Sequence, residues 1–227
     1  MLSPYCVSVG YWLTKFILTP FLRLLYRVRV EGREHIPPRG SAILASNHIS
    51  FCDSFFLPLV VPRRVTYVAK AEYFDNWKVA WFFKANGHIP IRRGEGADWK
   101  LALDLAAEVL NSGGLFGIYP EGTRSKDGRL YRGHTGVAML ATRTGAPVIP
   151  IGFVGTDKAQ PVGAKMMRPF KTVTIRIGPP MDFATEAGQP QGQRALRAIT
   201  DKVMKEIQNL SGQEYTGRYA ALGDRRV

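Results

Sequence analysis

A histidine and an aspartate separated by five positions are the first candidates for chemistry in this sequence. His48 lies in the segment 47–53, which follows an apolar run over residues 42–45 and opens a helical stretch. Five helical steps turn about 500°, so the two side chains meet only if His48 is in the loop and Asp53 is in the first helical turn. The carboxylate would then hold one imidazole nitrogen and leave the other as a base for a substrate hydroxyl.

Each member of this pair also has a structural explanation. The pattern Ser50-x-x-Asp53 is typical of a capping box, in which a carboxylate accepts a backbone N–H at the start of a helix. A single loop histidine is usually only solvated. Cys52 is a poor candidate for an acyl carrier, because a helical thiol beside an anion should not have a lowered pKa. From spacing alone, capping and catalysis both stay open.

Two arginines at the end of a predicted strand are suited to binding an anion. Arg92 and Arg93 follow the apolar run over residues 89–91. Ligands bind at strand ends in α/β sheets, and planar guanidinium groups match the geometry of phosphate. The structural alternative is a solvated strand exit.

A third segment combines small, polar and charged residues after another apolar run. Residues 120–125 read Pro-Glu-Gly-Thr-Arg-Ser. Gly122 could offer a backbone N–H to a phosphate, Thr123 a hydroxyl and Arg124 a guanidinium. A local ion pair between Glu121 and Arg124 is the structural alternative.

Short apolar runs that alternate with amphipathic stretches predict the frame that positions these residues. The predicted fold is α/β, with a mixed, partly parallel central sheet flanked by helices. Strands are predicted over residues 28–31, 42–45, 65–69, 89–91, 115–119, 148–154 and 173–177. Helices are predicted over residues 51–57, 73–84, 99–110, 136–144 and 196–210.

Composition limits the class of protein. The chain has 227 residues, 45% of them apolar, which excludes wholesale disorder, collagen and coiled coil. A net charge of +13 indicates an anionic partner, which could be nucleic acid, a phospholipid surface or a phosphorylated substrate. The two cysteines fit neither a disulfide framework nor a zinc site, and a reducing compartment is the simpler interpretation. Hydrolase, metalloprotease, thiol-redox and phosphate-loop motifs are absent, so no metal is expected.

The N-terminal segment is basic and apolar at once. It carries four basic residues and no acid before Glu31. Its apolar residues recur at helical spacing, and Thr19 with Pro20 predicts a cap and first turn for a second short helix. No apolar run is long enough to predict a transmembrane helix. Amphipathic helices of this kind lie on membrane surfaces, and a helix packed on the domain is the alternative.

The chain is therefore predicted to divide into a membrane-associating segment over residues 1–27 and a catalytic domain over residues 28–210. Residues 211–227 are polar and are predicted to form a frayed tail.

Four blocks taken together resemble the glycerolipid acyltransferases typified by lysophosphatidate acyltransferase. They are Asn47-His48-x-x-x-x-Asp53, Ile-Pro-Ile-Arg-Arg at 89–93, Pro-Glu-Gly-Thr-Arg-Ser at 120–125 and Val-Ile-Pro-Ile at 148–151. Each block alone is unspecific, but all four in order form a specific signature over residues 28–180. The segment 156–170 has no counterpart, and His134 matches no family role.

The resemblance implies a membrane-associated O-acyltransferase of phospholipid biosynthesis. It would move a fatty acyl group from acyl-CoA or acyl-ACP to a hydroxyl of lysophosphatidic acid, which is 1-acyl-glycerol-3-phosphate. His48 would be the base and Asp53 its orienting carboxylate. The residues implied in holding the substrate phosphate are Arg92, Arg93, Glu121, Gly122, Thr123 and Arg124.

The same resemblance sets the expected partners. These are an anionic membrane surface, the acyl thioester donor, with acyl carrier protein as one candidate, and the phosphorylated acceptor. No nucleic acid and no cofactor beyond the co-substrate are expected, and the expected location is the cytoplasmic face of the cell membrane, as a peripheral protein. Glycerol-3-phosphate as first acceptor is one alternative. A non-catalytic basic protein that binds lipid surfaces or nucleic acid is the alternative from another class.

Overall fold

A computed structural model describes residues 9–75, 80–81, 83–84, 87–91, 98–164, 166–184 and 192–221. All seven predicted strands are confirmed, each with its ends within one residue of the prediction. They are β1 (Arg27–Glu31), β2 (Ala42–Ser46), β3 (Val65–Lys70), β4 (Ile89–Ile91), β5 (Leu115–Ile118), β6 (Val148–Val154) and β7 (Thr172–Ile177).

The strands form one sheet in the order β1-β7-β6-β2-β5-β3-β4. Five neighbouring strands, from β6 to β4, run parallel. Strand β7 is antiparallel to β6, and β1 lies parallel to β7 at the edge. The predicted mixed, partly parallel sheet is confirmed. Because β2 and β5 are parallel neighbours, the loops that follow them meet at the carboxyl edge of the sheet.

Helices cover both faces of this sheet. They are α1 (Val9–Leu25), α2 (Asp53–Val60), α3 (Glu72–Asp75), α4 (Asp98–Asn111), α5 (Gly136–Thr144), α6 (Thr156–Ala159) and α7 (Gln193–Ser211), with a 3₁₀ turn at Arg33–His35. The helix predicted over residues 73–84 lies partly outside the described residues. Its described parts are α3 and helical residues at 80–81 and 83–84.

The sheet separates two apolar layers, since successive side chains of a strand point to opposite faces. On β2, Leu44 belongs to the layer beneath α1 and α2, which includes Phe56 and Phe153. Ile43 belongs to the opposite layer beneath α4, α5 and α7, where Leu140 is fully buried. The site residues therefore stand on a frame that is buried on both sides.

The prediction of two N-terminal helices is wrong, because α1 continues through Pro20 as one helix of 17 residues. Thr19 caps no second helix, since its hydroxyl is buried without a hydrogen-bond partner among the described residues. The side chains of Leu22 and Leu25 pack on the core beyond the proline, so tertiary packing offsets the backbone hydrogen bond that proline cannot donate. Within the described part of the chain, no helix meets the length and apolarity that crossing a membrane requires.

The C-terminal residues do not fray over the part that the structure describes. We call residues 212–221 the C-terminal strap. Leu130 donates its N–H to the Glu214 carbonyl over 2.9 Å and accepts the N–H of Thr216 over 3.0 Å. Arg132 donates to the carbonyl of Arg218 over 2.8 Å. These hydrogen bonds, which polar composition does not reveal, hold the strap against the loop after β5.

Candidate active site

The predicted meeting of His48 and Asp53 is present in the structure. His48 lies in the loop after β2, and Asp53 opens α2. The imidazole Nδ1 lies 2.9 Å from Asp53 Oδ2. The His48 side chain is 16% exposed, whereas the Asp53 side chain is fully buried. Because Nδ1–H donates to the carboxylate, Nε2 keeps the lone pair that a general base needs.

Asp53 also forms one half of the predicted capping box, since it accepts the Ser50 backbone N–H, but the N-cap of α2 is Cys52 and the Ser50 hydroxyl is donated to Gln160 instead. The Oδ2 atom of Asp53 accepts the backbone N–H groups of Ile49 and Ser50, each over 2.9 Å. The same carboxylate oxygen thus fixes the turn that carries His48 and orients the imidazole. The neighbouring Cys52 thiol is inert as expected, because burial raises its pKa to about 12.

Strand β2 ends at Ser46, and the side chain of the next residue, Asn47, makes the hydrogen bonds to β6 that the main chain no longer makes. Its side-chain amide accepts the N–H of Phe153 over 2.7 Å and donates to the carbonyl of Phe153 over 3.0 Å. The remaining amide hydrogen is donated to Oε1 of Gln213 over 2.7 Å. The residue that precedes the base is therefore tied both to β6 and to the C-terminal strap.

Tyr119 stacks on the catalytic candidate. Its ring lies 3.8 Å from the His48 ring, between centroids, and the two planes are 13° apart. The tyrosine hydroxyl shares a hydrogen bond of 2.9 Å with Ser54, the residue after Asp53. Sequence analysis assigned no role to Tyr119. The stack follows from the pairing of β2 with β5, which places the residues after both strands side by side.

We expect Tyr119→Leu to lower kcat roughly tenfold with little change in the acceptor KM, because the imidazole loses the ring that holds its plane. Tyr119→Phe keeps the stack and loses only the hydroxyl, which contacts Ser54 and Tyr67, so its kcat should stay near wild type. Steady-state kinetics of both variants check this. Equal losses in both would assign the effect to the hydroxyl instead of the ring.

Glu121 joins two loops instead of facing the pocket. Its carboxylate accepts the backbone N–H of His48 over 3.0 Å and that of Tyr131 over 2.9 Å. The residue is only 2% exposed. A buried carboxylate that is engaged by two backbone groups supports the shape of the site. This geometry favours positioning over the predicted contact with phosphate, since two anions repel each other.

Glu121 should make stability depend on pH. Burial raises its pKa from 4.5 to about 7, and the charges of Asp53 and Asp127 also raise it, while the two backbone N–H groups oppose the shift. The folded state therefore binds this proton more tightly than the unfolded chain does. The resulting stabilisation is full below pH 4.5 and is lost as pH rises to about 7.

Glu121→Gln should accordingly flatten the decline in the free energy of unfolding between pH 4.5 and 7. Urea titrations across this interval measure the slope. Glu108→Gln, at an exposed position on α4, is the matched control and should keep the wild-type slope. A wild-type slope in the Glu121 variant would contradict the assignment.

His48 opens into a pocket of about 880 Å³ at the carboxyl edge of the sheet. One part of its lining comes from the loop after β5, through Gly122, Thr123 and Arg124. Gly122 turns this loop with φ of 71°, a conformation that other residues rarely adopt. The Arg124 guanidinium has no hydrogen-bond or ion-pair partner among the described residues, so the ion pair with Glu121 that was the structural alternative does not form.

The other two arginines that were predicted to bind phosphate come directly after β4 in the sequence. Arg92 and Arg93 lie outside the described residues. Strand β4, which they follow in the sequence, is parallel to β3 and ends at the same edge of the sheet as β2 and β5. Their predicted contact with phosphate stays a prediction.

The pocket residue His134 is also the contact point between this pocket and the strap. This imidazole lines the pocket and stacks on Tyr219 of the strap, with 4.9 Å between ring centroids and 19° between planes. Burial and the nearby Arg197 lower the pKa of His134. The guanidinium of Arg132 lies over the Tyr219 ring, 5.3 Å from its centroid. Sequence analysis missed this cluster of Arg132, His134 and Tyr219, since Tyr219 lies far from the other two residues in the chain.

Comparison with known proteins agrees with this arrangement. A family model named Acyltransferase matches residues 27–154, which include His48, Asp53 and Arg124. The chain belongs to the Acyltransferase family. The match covers β1 through β6 and thus the frame that positions the site.

Relatives of this Acyltransferase family member include named enzymes. A chloroplastic 1-acyl-sn-glycerol-3-phosphate acyltransferase of Arabidopsis thaliana is 29% identical over 182 residues, which are 80% of this chain and 51% of that protein. The 1-acyl-sn-glycerol-3-phosphate acyltransferase of Bacillus subtilis is 28% identical over 198 residues, or 86% of this chain and 94% of the relative. The chain spans about half the length of the plant relatives that it matches.

A solved structure shares the fold of this Acyltransferase family member. The 1-acyl-sn-glycerophosphate (LPA) acyltransferase from Thermotoga maritima superposes with a TM-score of 0.69 at 28% identity. The superposition covers 91% of this chain and 80% of the other. The fold class is confirmed.

Proposed function

We propose that the protein transfers a fatty acyl group from an acyl thioester to the free hydroxyl of a 1-acyl-glycerol-3-phosphate. The observation that carries this proposal is the 2.9 Å contact of His48 with Asp53 at the mouth of a pocket that also presents Arg124. The names of relatives from Arabidopsis thaliana and Bacillus subtilis support the same acceptor.

The proposed reaction needs one base and no acyl-enzyme. Nε2 of His48 takes the proton of the acceptor hydroxyl while its oxygen attacks the thioester carbonyl, and this assistance contributes ~10²–10⁴-fold. Asp53 stabilises the imidazolium that forms. The tetrahedral intermediate then releases the thiolate, which takes the proton back from His48. The products are a diacylglycerol-3-phosphate and the free thiol of coenzyme A or acyl carrier protein.

The lining of the pocket offers contacts for both parts of a lysophospholipid, the phosphate and the acyl chain. The segment Gly122–Arg124 offers a backbone turn, a hydroxyl and an unpaired guanidinium, which together match a phosphomonoester. The rest of the lining mixes polar side chains, such as Lys126 and Gln193, with a larger apolar and aromatic set, which is Phe51, Tyr73, Phe83, Trp99, Leu103, Phe116 and Met139. An acyl chain binds such a surface through the hydrophobic effect.

The outer face of α1 supports work at a membrane surface. Phe16 is 80% exposed and Leu24 is 78% exposed, and four further large apolar side chains of this helix are about half exposed. Arg23 is exposed in the last turn of the same helix, whereas Lys15 turns towards the domain and donates to the carbonyls of Pro58 and Val61. An amphipathic helix of this type lies in the interface of an anionic bilayer, where lysophospholipid acceptors are dissolved.

The test is a product analysis with both acceptors and a mixed pool of acyl thioesters. Mass spectrometry should detect a diacylglycerol-3-phosphate when 1-acyl-glycerol-3-phosphate is offered, and little product when glycerol-3-phosphate is offered. Exclusive use of glycerol-3-phosphate would overturn the proposed acceptor. An absence of acylated product from either acceptor would overturn the proposed reaction.

Arg124→Ala should raise the KM for the acceptor roughly tenfold with little change in kcat, because a charge-assisted contact with phosphate is lost. Initial rates at varied acceptor concentration measure this. Lys202→Ala, at an exposed position of α7, is the matched control for the loss of one positive charge. An unchanged acceptor KM would remove Arg124 from the phosphate site.

A further inference from the structure

The loop between α6 and β7 exposes two large apolar side chains. Met166 is 81% exposed and Phe170 is 76% exposed. Between them, Met167 packs against the core beneath α1 and α2, which fixes the loop to the domain. The loop therefore does not hang free, and the exposure of its neighbours is built into the fold.

Phe170 is held in a backbone conformation that its side chain disfavours. Its φ is 60°, and it is the one non-glycine residue with positive φ among those that the structure describes. For a bulky residue this is an outlier, which persists only where the surroundings enforce it. Glycine or asparagine would fit the backbone better, so folding alone does not explain a phenylalanine here.

The end of α1 and this loop lie side by side. Phe170 donates its backbone N–H to the carbonyl of Leu25, the last residue of α1, over 2.7 Å. In the preceding turn of the helix, Leu24 is 78% exposed and Phe21 is 56% exposed. Two separate elements thus present large apolar side chains at one place.

Positive charge surrounds this surface. Arg168 and Lys171 flank Phe170 and are exposed, as is Arg23 in the last turn of α1. The sequence has no aspartate or glutamate between Asp157 and Asp182. Exposed apolar side chains with a basic surround match the interface of an anionic bilayer, where apolar groups enter and basic groups meet the phosphates.

The location also connects this surface with the pocket. Because β7 runs antiparallel to β6, its first residues lie at the carboxyl edge of the central strands, which is the edge of His48. At the start of the loop, Ser50 donates its hydroxyl to the carbonyl of Gln160 over 2.7 Å. Val162 lines the pocket itself. Contact of this loop with a bilayer would place the pocket mouth at the lipid surface.

We propose that Met166 and Phe170 form a second membrane anchor, which inserts into an anionic phospholipid bilayer beside the end of α1. The inference rests on the proposed function, since a lipid acceptor is what gives the pocket a reason to face the bilayer. It adds to α1 a second contact beside the end of the helix, so the helix and the loop together restrict how the domain can rotate on the bilayer.

The test measures the partition of wild-type protein and of Phe170→Asn to vesicles of phosphatidylcholine with and without phosphatidylglycerol. Asparagine tolerates positive φ, so the variant should keep or raise Tm. Its partition to the anionic vesicles should fall roughly tenfold, the low end for burial of a phenylalanine side chain. Phe16→Ser on α1 serves as the positive control, and Leu101→Ser on α4 as the matched exposed apolar control.

Two outcomes would overturn the second anchor. One is partition of the Phe170 variant within twofold of wild type under conditions where Phe16→Ser reduces it. The other is a fall in Tm together with partition, which would make Phe170 a packing residue. Turnover of a dispersed short-chain acceptor, measured in the same variants, is expected to stay at the wild-type value. If the wild-type protein itself does not acylate this acceptor, the result rejects the proposed function instead of the second anchor.

Discussion

Replacement of His48 by alanine is expected to lower acyl transfer at least ~10²-fold, the low end for the loss of a general base. The free energy of unfolding should change little, because the side chain lies at the pocket mouth and Asp53 keeps its two backbone donors. Initial rates and urea denaturation of the same preparation measure the two quantities.

Asp53→Asn is the companion variant. An amide oxygen can still accept the N–H groups of Ile49 and Ser50, so the turn should form. The imidazolium would lose its anion, and the rate should fall by a similar factor. Near-wild-type turnover in the His48 variant would remove the base assignment, whatever the Asp53 variant does.

Replacement of Asn47 by alanine is expected to lower the free energy of unfolding by about 2–5 kcal/mol, since each orphaned buried polar group costs about 1–3 kcal/mol. The loss leaves both the N–H and the carbonyl of Phe153 without their side-chain partner, and Phe153 is fully buried. Denaturant titrations followed by tryptophan fluorescence measure the change.

Gln213→Ala is the comparison for Asn47. It removes the hydrogen bond to the Asn47 amide and another to the carbonyl of Gly128, but it orphans no buried pair on β6. A loss of about 1 kcal/mol is expected for it. If both variants lost the same free energy, the pairing with β6 would not be what Asn47 contributes.

Local patterns were sufficient to predict the frame and the central pair. The apolar runs that became strands are short and bounded by turn residues, so their limits could be read directly. The central strands β2, β5 and β6 are also buried along almost their whole length. The meeting of His48 with Asp53 required only the geometry of one turn between a strand and a helix. Both are properties of neighbouring residues.

The missed features depend on contacts between distant parts of the chain. The stack of Tyr119 on His48 requires β5 to lie beside β2, and strand order does not follow from apolar runs. Gln213 reaches Asn47 across 166 positions. The helix through Pro20 also depends on tertiary packing, which overrides local propensity. A polar residue at the end of a buried strand, such as Asn47, was the available signal.

The C-terminal strap has a consequence for biosynthesis. Residues 42–154, which carry the strands around His48, emerge from the ribosome well before Gln213 does. Until then the Asn47 amide lacks one of its acceptors, and the loop at Leu130 lacks the hydrogen bonds that the strap supplies. The nascent polypeptide can thus collapse around its sheet while His134 still lacks the Tyr219 ring that stacks on it. The loop that carries Leu130 and His134 can therefore reach its final form only after residues 212–221 have been synthesised.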